Sequence, residues 1–151
     1  MENERLSVME ELHRVFYASG MSYKALSKKA GLSYGTVYTA LSPSYRKTPM
    51  FITFLKLVRS LGYSVVVIDE YAEPAVFAQD EEILHFLMDH YRMCFSGPER
   101  FSESTGIDKN IYASMIYKGR YHRPLLLTVD RLANAAGLKL VLIKRKEETD
   151  G

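Results

Sequence analysis

The chain has no tryptophan and a single cysteine, Cys94. One cysteine excludes a disulfide within the chain and argues against a cysteine-rich zinc site. No apolar run reaches the roughly 18 residues that identify a membrane span, and the N-terminal segment carries too many charges for a signal peptide. These absences predict a cytoplasmic protein with no membrane partner, in which Cys94 is a small core residue.

Patterns typical of enzymes and metal sites are also missing. The four histidines are scattered, none in the HExxH spacing, and no glycine-rich loop is present to hold a phosphate. The only carboxylate cluster is Asp80, Glu81 and Glu82, which precedes a helical pattern; it is explained as a helix cap, because negative charge is favourable at a helix N-terminus. The sequence therefore predicts a protein that is not an enzyme and binds no cofactor or metal.

The most informative stretch, 22–41, contains two short helical patterns joined by a turn at Gly31. Ser22 and Ser33 precede these helices, and serine oxygens accept the free amides at a helix start. Glycine suits the positive φ with which the chain leaves a helix. Two helices joined by such a turn form a helix-turn-helix unit. The outward positions of its second helix are Tyr34, Gly35, Thr36, Tyr38 and Thr39.

Helix-start signals flank this unit. Ser7 and Glu10 have the spacing of a capping box, which predicts a helix before the unit. Thr48 and Pro49 are the expected cap and first residue of a helix that follows it. These signals predict four helices for this part of the chain.

The chain also contains an internal repeat, because residues 8–69 superpose on 83–144 with a constant offset of 75 and no gap. The sequence identity of the two halves is low, but the residues that mark the boundaries of helices and strands coincide: Gly31 with Gly106, Ser33 with Asp108, Pro49 with Pro124, and Gly62 with Gly137. A fixed offset of this kind indicates a duplicated structural unit. A second helix-turn-helix is therefore predicted at 100–115.

Short β-branched runs end both halves and predict two strands. An isolated strand leaves its backbone groups unpaired, so Val65–Ile68 is predicted to pair antiparallel with Leu140–Ile143. The predicted fold is mainly α, with two tandem helix-turn-helix domains, one strand in each, and the strands paired in a pseudo-two-fold arrangement. The predicted segments are a first domain at 1–70, a linker at 71–79, a second domain at 80–146 and a tail at 147–151.

The first unit resembles the Xre/Cro-type helix-turn-helix family. The family pattern is matched by Leu26, Ser27, Ala30, Gly31, Leu32, Ser33 and Val37. The resemblance implies a sequence-specific transcriptional regulator that binds double-stranded DNA, such as a bacterial or phage repressor. In Xre-type antitoxins whose helical domain ends in a strand, that strand pairs with its counterpart across a homodimer. The resemblance therefore also implies that this single chain imitates a dimer.

The predicted DNA contacts fall into three groups. The first unit would contribute Tyr23, Lys24, Lys28, Ser33, Tyr34, Gly35, Thr36, Tyr38 and Thr39. The second would contribute Asp108, Lys109, Asn110 and Ser114. Basic loops after each recognition helix would anchor phosphates, through Arg46, Lys47, Lys118, Arg120 and Arg123. Tyr112 aligns with the inward Val37 and is predicted to be a core residue.

The two recognition helices differ, which predicts an operator with two unlike half-sites. The first half is expected to contribute more of the binding, because the second has Glu99 and Glu103 where the first has Lys24 and Lys28. The rival interpretation is a protein-interaction module, such as an antitoxin or an inhibitor of a host factor. The sequence also leaves open the association of two chains into a homodimer.

Overall fold

A computed structural model describes residues 6–44, 47–69, 76–118 and 123–146. In chain order its elements are α1 (Ser7–Ser19), α2 (Tyr23–Ala30), α3 (Tyr34–Leu41), α4 (Phe51–Ser60), β1 (Tyr63–Asp69), β2 (Val76–Gln79), α5 (Glu82–Cys94), α6 (Pro98–Thr105), α7 (Lys109–Lys118), α8 (Leu126–Ala135) and β3 (Leu138–Lys144). The fold is mainly helical, as predicted, with one small antiparallel sheet. None of the helices in the described ranges has the length and apolar character to cross a bilayer.

The repeat is visible in the bounds of the elements. The elements α1, α2, α4 and β1 begin and end 75 residues before α5, α6, α8 and β3. The helices α3 and α7 also begin at equivalent residues, although α7 extends two residues further. Gly31 and Gly106, which follow α2 and α6, have φ values of 68° and 75°. Both halves therefore contain the same order of four helices and one strand.

The sheet joins the two halves. Its order is β2-β1-β3, with β1 in the centre. The strands β1 and β3 pair antiparallel along their full length, which confirms the predicted pairing, and Val66 lies opposite its repeat equivalent Val141. Val66 is fully buried. The backbone groups of two short strands, which would be unpaired in isolation, thus bond to each other.

The strand β2 corrects the prediction of a linker at 71–79. Residues 76–79 are paired with β1 in an antiparallel ladder, while 71–75 lie outside the described residues. Val76 and Phe77 supply the β-branched and aromatic side chains that suit a strand. The segment is a strand because the edge of β1 offers it a hydrogen-bonding partner.

The acidic residues 80–82 lie at the start of α5, as predicted, but none of them caps it with a side-chain hydrogen bond. The backbone N–H of Asp80 donates to the carbonyl oxygen of Val65 at 2.9 Å, and its Oδ1 accepts from the Val65 N–H at 3.0 Å. No side chain caps α5, which begins at Glu82. Asp80 is buried, and its carboxylate extends the ladder on β1 instead of capping the helix.

The predicted capping box of α1 does not form either. The helix already includes Ser7, its cap residue is Leu6, and no side-chain oxygen accepts a bond at its start. Leu6 packs against the hydrophobic core. With Leu6 as the cap residue, the helix begins one residue earlier than the Ser7 and Glu10 signal predicts.

A second contact between the halves lies where α4 and α8 begin. Met50 and Leu125 form an isolated antiparallel bridge. On either side of it, the Phe51 N–H donates to the Pro124 carbonyl oxygen and the Leu126 N–H donates to the Pro49 carbonyl oxygen, at 2.9 Å in both cases. This pairing keeps the chain extended up to Met50, so α4 begins at Phe51 and not, as predicted, at Pro49 with Thr48 as its cap.

One cluster of buried apolar side chains contains residues from both halves. Within it, the hydroxyl of Tyr91 donates to the carbonyl oxygen of Leu132 at 2.5 Å, and burial raises the pKa of Tyr91 to about 12. Tyr112 is buried, as predicted. Cys94 is exposed, which contradicts the prediction, because α5 ends there and the next residue, Phe95, packs against the core in its place.

Candidate nucleic-acid interface

The helices α2 and α3 are joined at Gly31 and both begin with a serine cap, as predicted. The Ser22 Oγ accepts from the Ala25 N–H at 3.0 Å, and the Ser33 Oγ accepts from the Thr36 N–H at 3.1 Å. Both cap residues are exposed. The two helix starts are therefore ordered and accessible to a ligand.

The helix α3 has one buried and one exposed face. Val37, Ala40 and Leu41 are buried against the core. The predicted contact residues lie on the other side: Tyr34, Gly35, Thr36 and Tyr38 are exposed, and Thr39 is partly exposed. Burial of the inward side chains thus fixes which side chains of α3 are available for recognition.

An open cleft separates α3 from the segment that leads into α4. It is lined by Ser33, Gly35, Thr36, Thr39, Ala40, Lys47, Thr48, Pro49, Met50 and Thr53. Most of these groups are small or carry a hydroxyl, and Lys47 adds an exposed cation. Predicted base contacts and a predicted phosphate anchor therefore meet at one cleft. Arg46 lies outside the described residues.

Three predicted contact residues also pack against one another as a tyrosine cluster, which consists of Tyr23, Tyr34 and Tyr38. The Tyr23 ring lies edge-on to Tyr34 at 6.2 Å and to Tyr38 at 5.4 Å, while the rings of Tyr34 and Tyr38 are stacked at 6.2 Å. Tyr23 stacks in turn on the buried Phe16 at 5.3 Å. Desolvation by burial, together with the neighbouring Tyr17, raises the pKa of Tyr23. The cluster thus presents exposed rings that are held by packing.

Two polar side chains of α1 hold the C-terminal end of α3, and the sequence reasoning missed both. The Nε2 of His13 lies 3.1 Å from the Ala40 carbonyl oxygen, to which it donates. The hydroxyl of Tyr17 donates to the Leu41 carbonyl oxygen at 3.3 Å. The last carbonyls of a helix have no partner within the helix. The sequence signal for these contacts was the spacing of His13 and Tyr17 by about one helical turn, which places both side chains on one face of α1.

Replacing His13 by leucine is expected to lower the free energy of unfolding by about 1–3 kcal/mol, because the Ala40 carbonyl would lose a buried donor. Urea unfolding followed by circular dichroism measures this loss. The control is Met88→Leu at the equivalent buried position of α5, an apolar exchange expected to lower stability by less than about 1.5 kcal/mol. Equal losses in the two variants would contradict a specific role for the histidine.

The helix α7 presents different chemistry from α3. Lys109 and Asn110 are exposed, and Ser114 is partly buried. The Oδ1 of Asp108 accepts from the Asn110 N–H at 2.8 Å. This bond orders the start of α7. The Asp108 carboxylate occupies the position where the first half has the neutral Ser33.

Charge also differs between the halves. Lys24 and Lys28 are exposed on α2, and their equivalents Glu99 and Glu103 are exposed on α6. Among the predicted phosphate anchors of the second half, Lys118 at the end of α7 and Arg123 after it are exposed, while Arg120 lies outside the described residues. A polyanion would therefore be attracted to α2 and repelled by α6.

Within the described part of the chain, no group of three or more His, Cys, Asp or Glu side chains is placed to hold a metal ion. Comparison with protein-family models, curated proteins and solved structures found no match.

Proposed function

We propose that the chain is a sequence-specific regulator, acting as a repressor, that binds double-stranded DNA through two helix-turn-helix units. The units are α2 with α3 and α6 with α7, and an approximate two-fold axis relates them. A DNA duplex has two-fold axes of its own, so recognition helices related in this way can enter successive major grooves. One chain then performs the role that two subunits have in a dimeric repressor.

The observation that carries this proposal is that two contacts between the halves join equivalent residues. Val66 lies opposite Val141 in the sheet, and Met50 lies opposite Leu125 in the bridge. An antiparallel pair of equivalent residues is the contact expected on a two-fold axis, because the axis maps each residue onto its partner. Two such contacts, at opposite ends of α4 and α8, support one axis that also relates α3 to α7.

The exposed chemistry of the two recognition helices fits base readout. In the first half, Thr39 and the tyrosine cluster offer methyl, ring and hydroxyl groups that suit thymine methyls and phosphates. In the second, Lys109 suits the guanine acceptors and Asn110 can form a bidentate pair with adenine. The exposed cations Lys47 and Arg123 would anchor the backbone on either side.

Selection from a labelled random duplex pool at moderate salt tests the proposal. The full chain is expected to enrich one sequence with two unlike half-sites, separated by about one helical turn, or roughly 34 Å. Binding without enrichment would indicate a non-specific cationic surface. Failure to bind any duplex would contradict DNA binding altogether.

A protein-interaction module is the second candidate function. It is favoured by the exposed carboxylates Glu99 and Glu103, which lie on the helix that would approach the phosphates. The exposed rings of the tyrosine cluster also suit a protein interface, since tyrosine is enriched at binding hot spots. In that case the partner would be a toxin, a host factor or a second copy of the chain. A co-purified protein, together with no DNA binding in the pool experiment, would favour this alternative.

A further inference from the structure

The bridge between the halves carries an apolar pair, Met50 and Leu125, on its outer side. Residues directly opposite each other in an antiparallel ladder project to the same side. The next residues, Phe51 and Leu126, are fully buried, whereas Leu125 is 45% exposed and Met50 is partly exposed. Because successive side chains of an extended segment point in opposite directions, the apolar pair points away from the core.

Met50 lies beside the exposed face of α3, because it lines the cleft that also contains Thr36 and Thr39. Leu125 is its repeat equivalent and directly precedes α8, as Met50 directly precedes α4. From the bridge, α4 and α8 each run for ten residues, which is about 15 Å, before the chain enters the sheet. The pair is therefore at the end of the molecule away from the sheet.

The surroundings of the apolar pair are positively charged. Lys47 and Arg123 are exposed and precede Met50 and Leu125 by three and two residues. The sequence contains no Asp or Glu in 42–53 or in 117–128. A short apolar projection with cations on both sides and no nearby carboxylate in the sequence fits a narrow, negatively charged groove.

We infer that the apolar pair enters the minor groove at the centre of the operator and selects the base step there by its deformability. The inference depends on the proposed function. Two half-sites one helical turn apart turn their major grooves toward the protein, so the minor groove faces the protein midway between them. Leucine and methionine placed in a minor groove unstack a base step and kink the duplex. Lysine and arginine are attracted to the negative potential of that groove.

A flexible pyrimidine–purine step at the operator centre is expected to bind about tenfold more tightly than a stiff A-tract, because it is more easily unstacked. The variant with Met50→Ala and Leu125→Ala is expected to reduce this preference below about twofold, since alanine is too short to act as a wedge. It should also reduce the bend of the bound duplex, while the preference for each half-site stays unchanged. Energy transfer between dyes at the duplex ends measures the bend.

The matched control is Val76→Ala, which removes an exposed apolar side chain at the sheet end and should leave both the bend and the central preference intact. Thermal unfolding checks the fold of each variant, and Leu125→Ser alone repeats the test at the more exposed position. A variant that retains the bend and the central preference would overturn the inference while leaving the proposed function in place. An unaltered chain that binds no duplex would instead overturn the proposed function and this inference together.

Discussion

Reversing the charge of Lys24 and Lys28 to glutamate is expected to weaken operator binding by about 100-fold at physiological salt. Both side chains are exposed on α2, the helix that would lie along the DNA backbone. Neutralised phosphates release counterions, and each such contact adds about one unit to the slope of log affinity against log salt concentration. The slope should therefore fall by up to about two.

The opposite exchange is expected in the second half. Glu99→Lys with Glu103→Lys should strengthen binding by about tenfold or more and steepen the salt slope by up to about two, because these positions are the repeat equivalents of the α2 lysines. Operator and unrelated duplexes should shift together, since phosphates carry no sequence information.

Titrations with labelled duplexes at several salt concentrations measure both exchanges. A variant with Lys144→Glu and Lys146→Glu controls for net charge, because these exposed cations lie at the sheet end. If that control weakens binding as much as the α2 variant, the loss of affinity comes from the electrostatic field of the whole protein and not from contacts made by α2.

The features that the sequence predicted correctly depend on near neighbours along the chain. The caps at Ser22 and Ser33 each join a side chain to an amide three residues away, and Gly31 has the positive φ expected of its turn. The pairing of β1 with β3 was also predictable, because the sequence indicated only these two strands and an isolated strand leaves its backbone groups unpaired.

The errors arise where a distant segment competes for the same backbone groups. Thr48 and Pro49 are a good helix start by local rules, but pairing with 124–126 keeps the chain extended to Met50. Likewise, Asp80 would suit a helix cap, but it bonds to Val65 on β1 instead. Local propensity contains no information about such a partner, since the two segments meet only after folding.

The same distinction between local and distant contacts applies to the candidate interface. Exposure of Tyr34 and Tyr38 followed from the helical period, because their neighbour Val37 points inward. Their packing with Tyr23 did not follow, since it requires the relative placement of α2 and α3. The contacts of His13 and Tyr17 with the end of α3 similarly require the position of α1. Which residues are exposed was therefore predictable, whereas the contacts that position them were not.

The different side chains of α3 and α7 lead to the second large expected effect. At equivalent positions, α3 has Tyr34, Gly35 and Thr39 where α7 has Lys109, Asn110 and Ser114. A homodimer with identical recognition helices reads a palindrome. The proposed pseudo-two-fold arrangement, with unlike side chains on α3 and α7, should instead read two unlike sequences with the half-site spacing of a dimer.

Replacing Asn110 by alanine is therefore expected to relax base choice in one half-site only, by about 1–3 kcal/mol at a single position, because a bidentate contact with adenine is lost. Thr39→Ala should act on the other half-site, and uracil in place of thymine there should reproduce its effect, since uracil lacks only the C5 methyl. Competition with operators mutated in one half-site at a time, supported by footprinting, separates the two contributions. Equal losses at both half-sites from Asn110→Ala would refute the asymmetry, because they would mean that two chains bind together and each uses its second helix-turn-helix unit.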